Sequence, residues 1–403
     1  MSWVCFYLVI NMNNNKKELK LFIVAGEASG DQIGASIVRG IRRKYPGKVN
    51  IVGIGGSRLL EEGLESIIPM KNLSIMGLME IIPSIPKILF YIEKTAKKVL
   101  KTQPDVLITI DSPGFNFRLC KKVHSKKPNF PLIHVVAPTV WAWKKYRAKS
   151  ISKILDHLLV LLPFEPKYFI KEGLKTTFVG HPVIEEIRNE SVYNKNSNIL
   201  KSTKNKSPIV SIMLGSRISE INNHIQLFIK TVLILRKKFP NLLLLTFTLP
   251  HLEEVIKPYL TKLNIPFLIS SNIKDRDDFY RISNVALAVS GTVTLELAMA
   301  NVPMIVVYKT SRLTFYILKK IVNVKYISII NILNDTEIVP EYIQNNAKPT
   351  TLALALEKLI LDKNKANFQI KEFEKIRNNL KSKNKLPSYR LSEEILNTID
   401  INN

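Results

Sequence analysis

Cysteine is almost absent from this 403-residue chain, in which Cys5 and Cys120 are the only two. Two cysteines cannot build a disulfide framework, so a reducing compartment such as the cytosol is expected. Long apolar stretches are also missing: no run reaches the roughly 18–20 residues that a membrane-spanning helix needs. Hydrophobic residues make up 46% of the chain, enough for buried cores, and the length suggests two domains.

Several signatures of cofactor enzymes are missing. The six histidines are scattered without the spacing of metal ligands, so no metal site is expected. The dinucleotide-binding pattern G-x-G-x-x-G and the phosphate-binding P-loop pattern are both absent, which disfavours a dehydrogenase and a P-loop enzyme. We therefore expect no cofactor.

Acidic residues are scarce relative to basic ones, with 33 Asp and Glu against 59 Lys and Arg and a net charge of +26. Such a balance favours anionic partners: nucleic acid, an anionic membrane or anionic substrates. Lysine is abundant throughout, so part of the excess is compositional bias. What remains is a basic surface able to approach anionic lipid. No pattern of alternating aromatic and basic residues indicates RNA binding.

The first 18 residues look different from the rest. The apolar segment 2–10 lacks the basic start and small-residue cleavage site of a signal peptide. Met12 shortly precedes the first strand-like run. We expect residues 1–18 to be a leader that is disordered, or that is not translated if Met12 is the start.

Short apolar runs ending in glycine or polar residues alternate with helical patterns in both halves. Such continuous apolar strands predict parallel sheets covered on both faces. A polar, low-complexity stretch at 186–207 separates the halves. We predict an α/β protein with two doubly wound, Rossmann-like domains facing a cleft, at 19–185 and 208–403. A return of the last helix to the N-terminal domain is left open. Ligands are expected at the carboxyl ends of the strands.

The segment G-E-A-S-G-D follows the first predicted strand. Ser29 or Asp31 could cap the next helix, and the free amides there suit an anionic or polyhydroxylated ligand. Glu27 would repel phosphate, so sugar hydroxyls or an amine fit it better. An ordinary glycine turn with a capping Asp is the equal alternative.

Asp111 ends the third predicted strand. A carboxylate there points toward a ligand, and partial burial could raise its pKa and make it a general base. The alternative is a helix N-cap before Pro113. Trp141 and Trp143 follow the fourth strand, where they could pack on a sugar or acyl chain, although core packing is favoured.

In the second half, Gly215, Ser216 and Arg217 follow a strand and precede a helix. Glycine lets the backbone come close to a ligand, and arginine can clamp a diphosphate by paired hydrogen bonds. A surface arginine at a helix start is the alternative.

The segment S-G-T-V-T-L-E begins at Ser290, with Gly291 and Thr292 opening a helix whose amides can hold phosphate. Glu296 lies on the same face four residues after Thr292 and could accept two ribose hydroxyls. The alternative is a plain helix with an exposed glutamate.

Two stretches combine apolar and basic residues. In 82–101 the apolar residues recur at helical spacing with lysines mostly off the stripe, and 312–322 mixes aromatic, aliphatic and basic residues. Both suit contact with a membrane interface. For 85–100 alone, packing on the domain core is slightly favoured.

Taken in order, these segments resemble lipid-A-disaccharide synthase, a family of inverting UDP-sugar transferases. The resemblance covers about residues 19–350 and also includes 326–344, where Asn331, Glu337 and Gln344 match. The segments that carry it are I-M-G-L-M-E, I-D-S-P-G-F-N, P-T-V-W-A-W, F-V-G-H-P, L-G-S-R and P-M-I-V-V-Y, besides G-E-A-S-G-D and S-G-T-V-T-L-E.

The resemblance implies a GT-B enzyme that joins UDP-2,3-diacylglucosamine to 2,3-diacylglucosamine 1-phosphate, forming a β-1,6 disaccharide and UDP. Its catalytic residues would be Asp111 and Glu27. It would work on the inner face of the cytoplasmic membrane, with a homodimer left open. UDP would be bound by Gly215, Ser216, Arg217, Ser290, Gly291, Thr292, Glu296 and Asn331. The acceptor or lipid would be contacted by Met76, Glu80, Trp141, Trp143 and Phe315.

The chain departs from the family pattern at Gly114, where Asp is usual, and at Leu214 and Ile330, where Pro is usual. A second carboxylate at 114 is therefore ruled out, while Asp111 stays. The alternatives are another GT-B enzyme, such as a peptidoglycan N-acetylglucosaminyltransferase or a UDP-sugar 2-epimerase. A less favoured alternative, from a different functional class, is a non-catalytic basic protein that binds membrane or RNA.

Overall fold

The computed structural model describes residues 18–73, 78–142, 146–187, 208–322, 324–383 and 385–399. The predicted leader at 1–18 lies outside them except for Glu18, whose carboxylate accepts a hydrogen bond from the Asn50 side chain. The chain forms two compact units. Unit 1 contains the described residues up to Pro182 together with those from Leu380 onward, and unit 2 is Val183–Asn379.

Unit 1 is built on a seven-stranded sheet in the order β3-β2-β1-β4-β5-β6-β7, in which every neighbouring pair is parallel. Its strands are β1 (Leu19–Ala25), β2 (Val49–Ile54), β3 (Glu65–Ser66), β4 (Val106–Ile110), β5 (Leu132–Val135), β6 (His157–Val160) and β7 (Thr176–Phe178). Its helices are α1 (Ala28–Lys44), α2 (Ser57–Glu61), α3 (Leu78–Thr102), α4 (Pro113–Lys126), α5 (Tyr146–Ile151), α6 (Pro166–Ile170) and, after unit 2, α16 (Pro387–Thr398).

The apolar runs of unit 1 are central strands. All five residues of β4 are buried, because helices cover both faces of the sheet. One buried cluster includes Phe22 and Leu107, and another includes Ile23 and Ile108, so successive residues of a strand serve opposite faces.

The last helix belongs to unit 1. Leu391 and Ile395 of α16 lie in the same buried cluster as Ile37 of α1. At its end, the Thr398 hydroxyl is 2.7 Å from Nδ1 of His157 on β6. The residues from 380 onward, which lie within the range 208–403 predicted as the C-terminal domain, therefore belong to unit 1. A return of the last helix to the N-terminal domain is the alternative that the sequence left open.

Unit 2 repeats the architecture with a six-stranded sheet in the order β10-β9-β8-β11-β12-β13, again parallel throughout. Its strands are β8 (Ile209–Met213), β9 (Leu243–Phe247), β10 (Phe267–Ser270), β11 (Val285–Val289), β12 (Met304–Tyr308) and β13 (Glu341–Ile343). Its helices are α7 (Val183–Glu186), α8 (Ile218–Lys238), α9 (Pro250–Thr261), α10 (Ile273–Ile282), α11 (Val293–Met299), α12 (Arg312–Ile321), α13 (Ile329–Asn334), α14 (Pro349–Leu361) and α15 (Lys363–Asn379).

The predicted α/β class with two doubly wound parallel units is confirmed. Two of the departures from the family pattern have a packing reason in unit 2. Leu214 and Ile330 are buried, at 2% and 0% exposure, so an apolar side chain there fills core volume. Within the described residues, no helix is long and apolar enough to cross a membrane.

The apolar stripe of α3 serves two environments. Toward its C-terminal end Ile92, Ala96 and Val99 are buried in the unit 1 core, at 4%, 1% and 1% exposure. Toward its N-terminal end Leu89 is 53% exposed and Phe90 63% exposed. Core packing of the segment 85–100 therefore holds for the buried residues near the C-terminal end of α3, whereas the side chains at 89 and 90 are exposed.

Candidate functional site

In unit 1 the loops after β1 and β4 meet at the carboxyl edge of the sheet, because the two strands pair in register from Leu21 with Val106 to Ala25 with Ile110. A Cβ atom on Gly26 would lie 2.3 Å from the Ser112 hydroxyl. Only glycine therefore lets the loop carrying Glu27 pack against the turn that carries Asp111.

The turn after β4 is strained. Asp111 and Ser112 both adopt left-handed backbone angles, with φ of +50° and +44°. Asn116 holds this turn, since its side-chain amide donates to the carbonyl oxygens of Ile110 at 3.1 Å and Asp111 at 2.7 Å. Asp111 is thus fixed by its backbone as a half-buried group at the edge of the sheet. Strain of this kind concentrates at functional sites.

The neighbouring strand ends the same way. Val136, directly after β5, has a φ of +76°, which is rare for a β-branched residue. Its amide donates to the carbonyl of Leu159 at 3.0 Å. Two adjacent strands therefore finish in strained turns at one edge, where open parallel sheets bind ligands.

The cap predicted at Ser29 or Asp31 is wrong for Asp31. No side chain caps α1 at Glu27, its N-cap residue. Instead the buried Asp31 carboxylate accepts from the amides of Gly56, Arg58 and Leu59, at 2.7, 2.9 and 3.1 Å, and so caps α2. The G-E-A-S-G-D segment therefore joins two strand ends, and Glu27 is its carboxylate at the loop itself.

The structure describes the surroundings of some of the predicted acceptor and lipid residues and not of others. Trp141 is half-buried and packs edge-on against Phe164, with ring centroids 5.5 Å apart. Phe315 is half-buried in α12. Met76 and Trp143 lie outside the described residues, and for Glu80 only the helical backbone is described. At Gly114 a Cβ would approach only the Arg118 guanidinium, at 3.9 Å.

In unit 2 the Gly215 loop is folded over an unexpected glutamate. Glu220 accepts from the Ser216 amide at 2.9 Å and from the Arg217 guanidinium at 3.2 Å. Gly215 has a φ of +100°, and a Cβ there would lie 2.2 Å from the Glu220 carboxylate. Arg217, the N-cap of α8, is 43% exposed, so the loop presents a cation at the amino end of a helix.

His224 links two strand ends of unit 2. Its Nδ1 donates to the Glu220 carbonyl at 2.7 Å, and its Nε2 accepts from the Lys309 amide at 2.8 Å. Burial lowers the pKa of His224, which favours the neutral ring that this pair of hydrogen bonds requires. The loops after β8 and β12 are therefore tied together on either side of β11.

The segment 290–296 follows β11 and leads into α11, as the sequence predicts. Met213 pairs with Ala288, so the Gly215 loop and Ser290 follow neighbouring strands. The Ser290 hydroxyl donates to the Ile327 carbonyl at 2.8 Å, while Gly291 and Thr292 are exposed. Glu296 is half-buried and accepts from the Tyr280 hydroxyl at 2.8 Å.

Asn331, which is predicted to contact UDP, is engaged within the protein in this structure. Asn331 is completely buried, and its amide donates to Val339 and Glu341 and accepts from Ile338 and Val339, all at 2.8–3.0 Å. A side-chain amide with both ends so occupied acts as scaffold. Glu341 also accepts from the amides of Ile327 and Ser328, so this network shapes the segment that Ser290 contacts.

Sequence reasoning missed Glu220, His224, Tyr280 and also Arg276, whose Nη1 atom lies 3.9 Å from Oε2 of Glu296. Glu220 had a readable signal, since a glutamate three residues after an N-cap is typical of a capping box. Tyr280 had none, because it precedes Glu296 by 16 residues on a different helix.

The matching family model and the relatives similar in sequence agree on one family. The family model described as lipid-A-disaccharide synthetase matches residues 21–395. The chain belongs to the lipid-A-disaccharide synthase family. A lipid-A-disaccharide synthase from Rhodospirillum centenum (strain ATCC 51521 / SW) is 36% identical over 386 residues, covering 95% of each chain. One from Rickettsia bellii (strain OSU 85-389) is 39% identical over 376 residues, covering 92% of this chain and 96% of the relative.

Solved structures show the same fold at low identity. A Staphylococcus aureus MnaA–UDP co-structure superposes with a TM-score of 0.63 at 17% identity, covering 94% of this chain and 96% of that one. A glycosyltransferase from Rickettsia africae ESF-5 superposes with a TM-score of 0.56 at 15% identity, covering 96% and 99%. These matches confirm the GT-B fold.

Family membership decides among the alternatives that the sequence left open. Epimerases share the fold, as a putative UDP-N-acetylglucosamine 2-epimerase from Listeria monocytogenes shows with a TM-score of 0.62 at 13% identity, covering 95% of this chain and 96% of that one. The family match, however, spans nearly the whole chain. The predicted lipid-A-disaccharide synthase, a hexosyltransferase of lipid A biosynthesis that acts on a UDP-sugar, is therefore confirmed.

Proposed function

We propose that this lipid-A-disaccharide synthase transfers 2,3-diacylglucosamine from UDP to the 6-hydroxyl of 2,3-diacylglucosamine 1-phosphate, with inversion, to give a β-1,6 disaccharide. The observation that carries the proposal is the set of polar loops at the carboxyl edge of each parallel sheet. Unit 1 offers carboxylates there, and unit 2 offers a cation and helix amides. Acid–base chemistry belongs to the first, and binding of an anionic leaving group to the second.

For the donor, the Gly215–Arg217 loop and residues 291–292 would hold the diphosphate. Arg217 supports this assignment because its side chain is 43% exposed and its contact with Glu220, at 3.2 Å, is a surface ion pair, which contributes at most about 1 kcal/mol. A diphosphate can therefore compete for the guanidinium. Glu296 would accept the ribose hydroxyls.

For the acceptor, Asp111 would remove the proton of the attacking hydroxyl. The left-handed turn and the Asn116 hydrogen bonds support this, because a general base must be held at a fixed position. Glu27, on the adjoining loop, would bind sugar hydroxyls or assist the same proton transfer.

The enzyme with both lipid substrates should form UDP and a phosphorylated tetraacyl disaccharide, detected by mass spectrometry. Glu296→Ala should raise the KM for the UDP donor about tenfold or more with a smaller change in kcat. The reason is that the ribose hydroxyls of the bound donor lose a charged hydrogen-bond acceptor. Glu253→Ala, on α9 of the same unit, is the matched control and should leave the KM unchanged. Failure of the wild type to form disaccharide would refute the proposed reaction, and an unchanged KM for Glu296→Ala would refute ribose recognition.

We further propose that the segment 85–90 of α3 contacts an anionic membrane on the cytoplasmic side. Ile85, Leu89 and Phe90 are 44%, 53% and 63% exposed, and Lys87 lies among them with its ammonium 5.8 Å from the Tyr91 ring. Exposed apolar side chains bordered by lysines suit the interface of an anionic bilayer. A lipid-bound substrate gives the enzyme a reason to work there.

Changing Leu89 and Phe90 together to Ser should weaken binding to vesicles of phosphatidylcholine and phosphatidylglycerol about tenfold, because two apolar side chains no longer enter the bilayer. Vesicle sedimentation measures the bound fraction. Leu361→Ser provides the control, since Leu361 is 58% exposed on α14 in unit 2. Equal binding of the double variant and the wild type would argue against this face.

A further inference from the structure

The carboxylate of Glu296 is held from one side by α10. The Tyr280 hydroxyl donates to its Oε2 atom at 2.8 Å, and Nη1 of Arg276 lies 3.9 Å from the same oxygen. Among the described residues, both polar contacts of this carboxylate are made by Oε2. The other oxygen, Oε1, is therefore left to accept hydrogen bonds from a ligand.

The two groups that hold Glu296 are themselves buried. Tyr280 is 1% exposed and Arg276 is 6% exposed. A buried guanidinium is costly unless it is paired, and Arg276 is paired on its other side by Asp277, whose Oδ1 accepts from Nε at 3.3 Å. Asp277, Arg276, Glu296 and Tyr280 thus form one connected network that ends at the carboxylate.

The charges around Glu296 oppose one another. Burial raises the pKa of Glu296, whereas Arg276 and the Tyr280 hydrogen bond lower it, and Asp277 raises it. Burial also raises the pKa of Tyr280 well above its usual value, so the phenol stays a donor. Without Tyr280 and Arg276, the environment would favour the neutral carboxyl.

The other elements packed against α11 contribute little charge at this point. Strand β11 and helix α13 carry no titratable side chain. Arg377 of α15 donates to the carbonyl of Met299, at the far end of α11. Helix α7 carries Glu185 and Glu186. The cation that balances Glu296 is therefore supplied by α10.

We propose that Tyr280 and Arg276 are positioning residues that keep Glu296 ionised and aim its Oε1 atom at the ribose hydroxyls of the UDP-sugar. The inference rests on the proposed function, in which Glu296 binds the ribose. An ionised carboxylate only accepts hydrogen bonds and can take two hydroxyl donors, whereas a protonated one spends an oxygen as a donor.

The test is the affinity of the full-length enzyme for UDP, measured by titration calorimetry between about pH 5.5 and 8. Tyr280→Phe keeps the ring and removes the donor. This substitution should weaken the binding of UDP about tenfold at the acid end of the pH range. The pH at which affinity is half lost should also rise, because the ionised form of Glu296 loses a stabilising hydrogen bond.

A ligand without the hydroxyls separates positioning from packing. For 2′,3′-dideoxy-UDP, Tyr280→Phe should bind as the wild type does. In a Glu296→Ala background, adding Tyr280→Phe should cost nothing further. Tyr259→Phe, a half-buried tyrosine of α9, is the matched control and should change neither affinity nor its pH dependence.

Arg276 gives a second variant that does not depend on Tyr280→Phe folding. Arg276→Gln should raise the pH of half-lost affinity, and Arg276→Lys should restore part of it because the charge returns. Suppose that Glu296→Ala weakens UDP binding while Tyr280→Phe and Arg276→Gln bind UDP as the wild type does at every pH. The positioning role is then overturned, whereas the proposed function stands. Equal losses for UDP and its dideoxy analogue would also overturn it, in favour of a packing role. A wild type that does not bind UDP overturns the proposed function and this inference together.

Discussion

Asp111→Asn should lower kcat by about 10²–10⁴-fold, the range typical of losing a general base. The substitution removes the proton acceptor and keeps the size of the side chain. Asparagine also tolerates the left-handed backbone that Asp111 adopts, at φ +50°, so the turn and its Asn116 hydrogen bonds should persist. Single-turnover formation of disaccharide measures the chemical step.

The matched control is Asp105→Asn, at the amino end of the same strand. Asp105 accepts from the Lys20 amide at 2.7 Å, so the same change there tests stability without touching the carboxyl edge. It should leave kcat unchanged. An Asp111→Asn enzyme with the same thermal midpoint and near wild-type kcat would remove Asp111 from the chemical step.

Arg217→Ala should lower kcat/KM for the UDP donor by about 10²–10³-fold, the effect of removing one group that stabilises developing negative charge. Because guanidinium can bind two phosphate oxygens at once and ammonium cannot, Arg217→Lys should recover only part of the loss. Coupled detection of UDP release under steady-state conditions measures both variants.

Two further variants isolate the cause. Lys262→Ala removes an exposed positive charge at the end of α9 in the same unit and should have no effect beyond a weaker salt dependence. Glu220→Gln, which loosens the contact with Arg217 at 3.2 Å, should have a smaller effect than Arg217→Ala. If Arg217→Ala retains the wild-type kcat/KM, the diphosphate must be held elsewhere.

Much of the fold could be predicted from the sequence because buried parallel strands leave a simple pattern. Runs such as V-L-I-T-I and V-A-L-A-V are apolar on both faces, and each proved to be a central strand. The loops at strand ends followed from the same pattern. Asp111, Arg217 and Glu296 could therefore be placed after the carboxyl ends of strands from the sequence alone. Site prediction was weaker wherever a side chain's partner lies far along the chain.

Three residues show that limit. Asp31 looked like a cap for its own helix and instead caps α2, through amides 25 to 28 residues further along the chain. Asn331 looked like a ligand contact, yet its amide is occupied by the backbone of 338–339 and by Glu341. Tyr280 showed no signal at all. A sequence shows that a polar group is present and leaves open which buried donors it will meet.

For this protein, the sequence by itself determined the α/β architecture, the family and the strand ends where chemistry is expected, because apolar periodicity and short motifs are local. Only the tertiary structure decided which polar side chains are enclosed in the scaffold and which are left accessible. That difference depends on burial: Asn331 and Asp31 are enclosed and paired within the protein, whereas the polar contacts of the half-buried Glu296 among the described residues are made by its Oε2 atom. The stripe on α3 follows the same rule, since packing buries Ile92 and leaves Phe90 exposed.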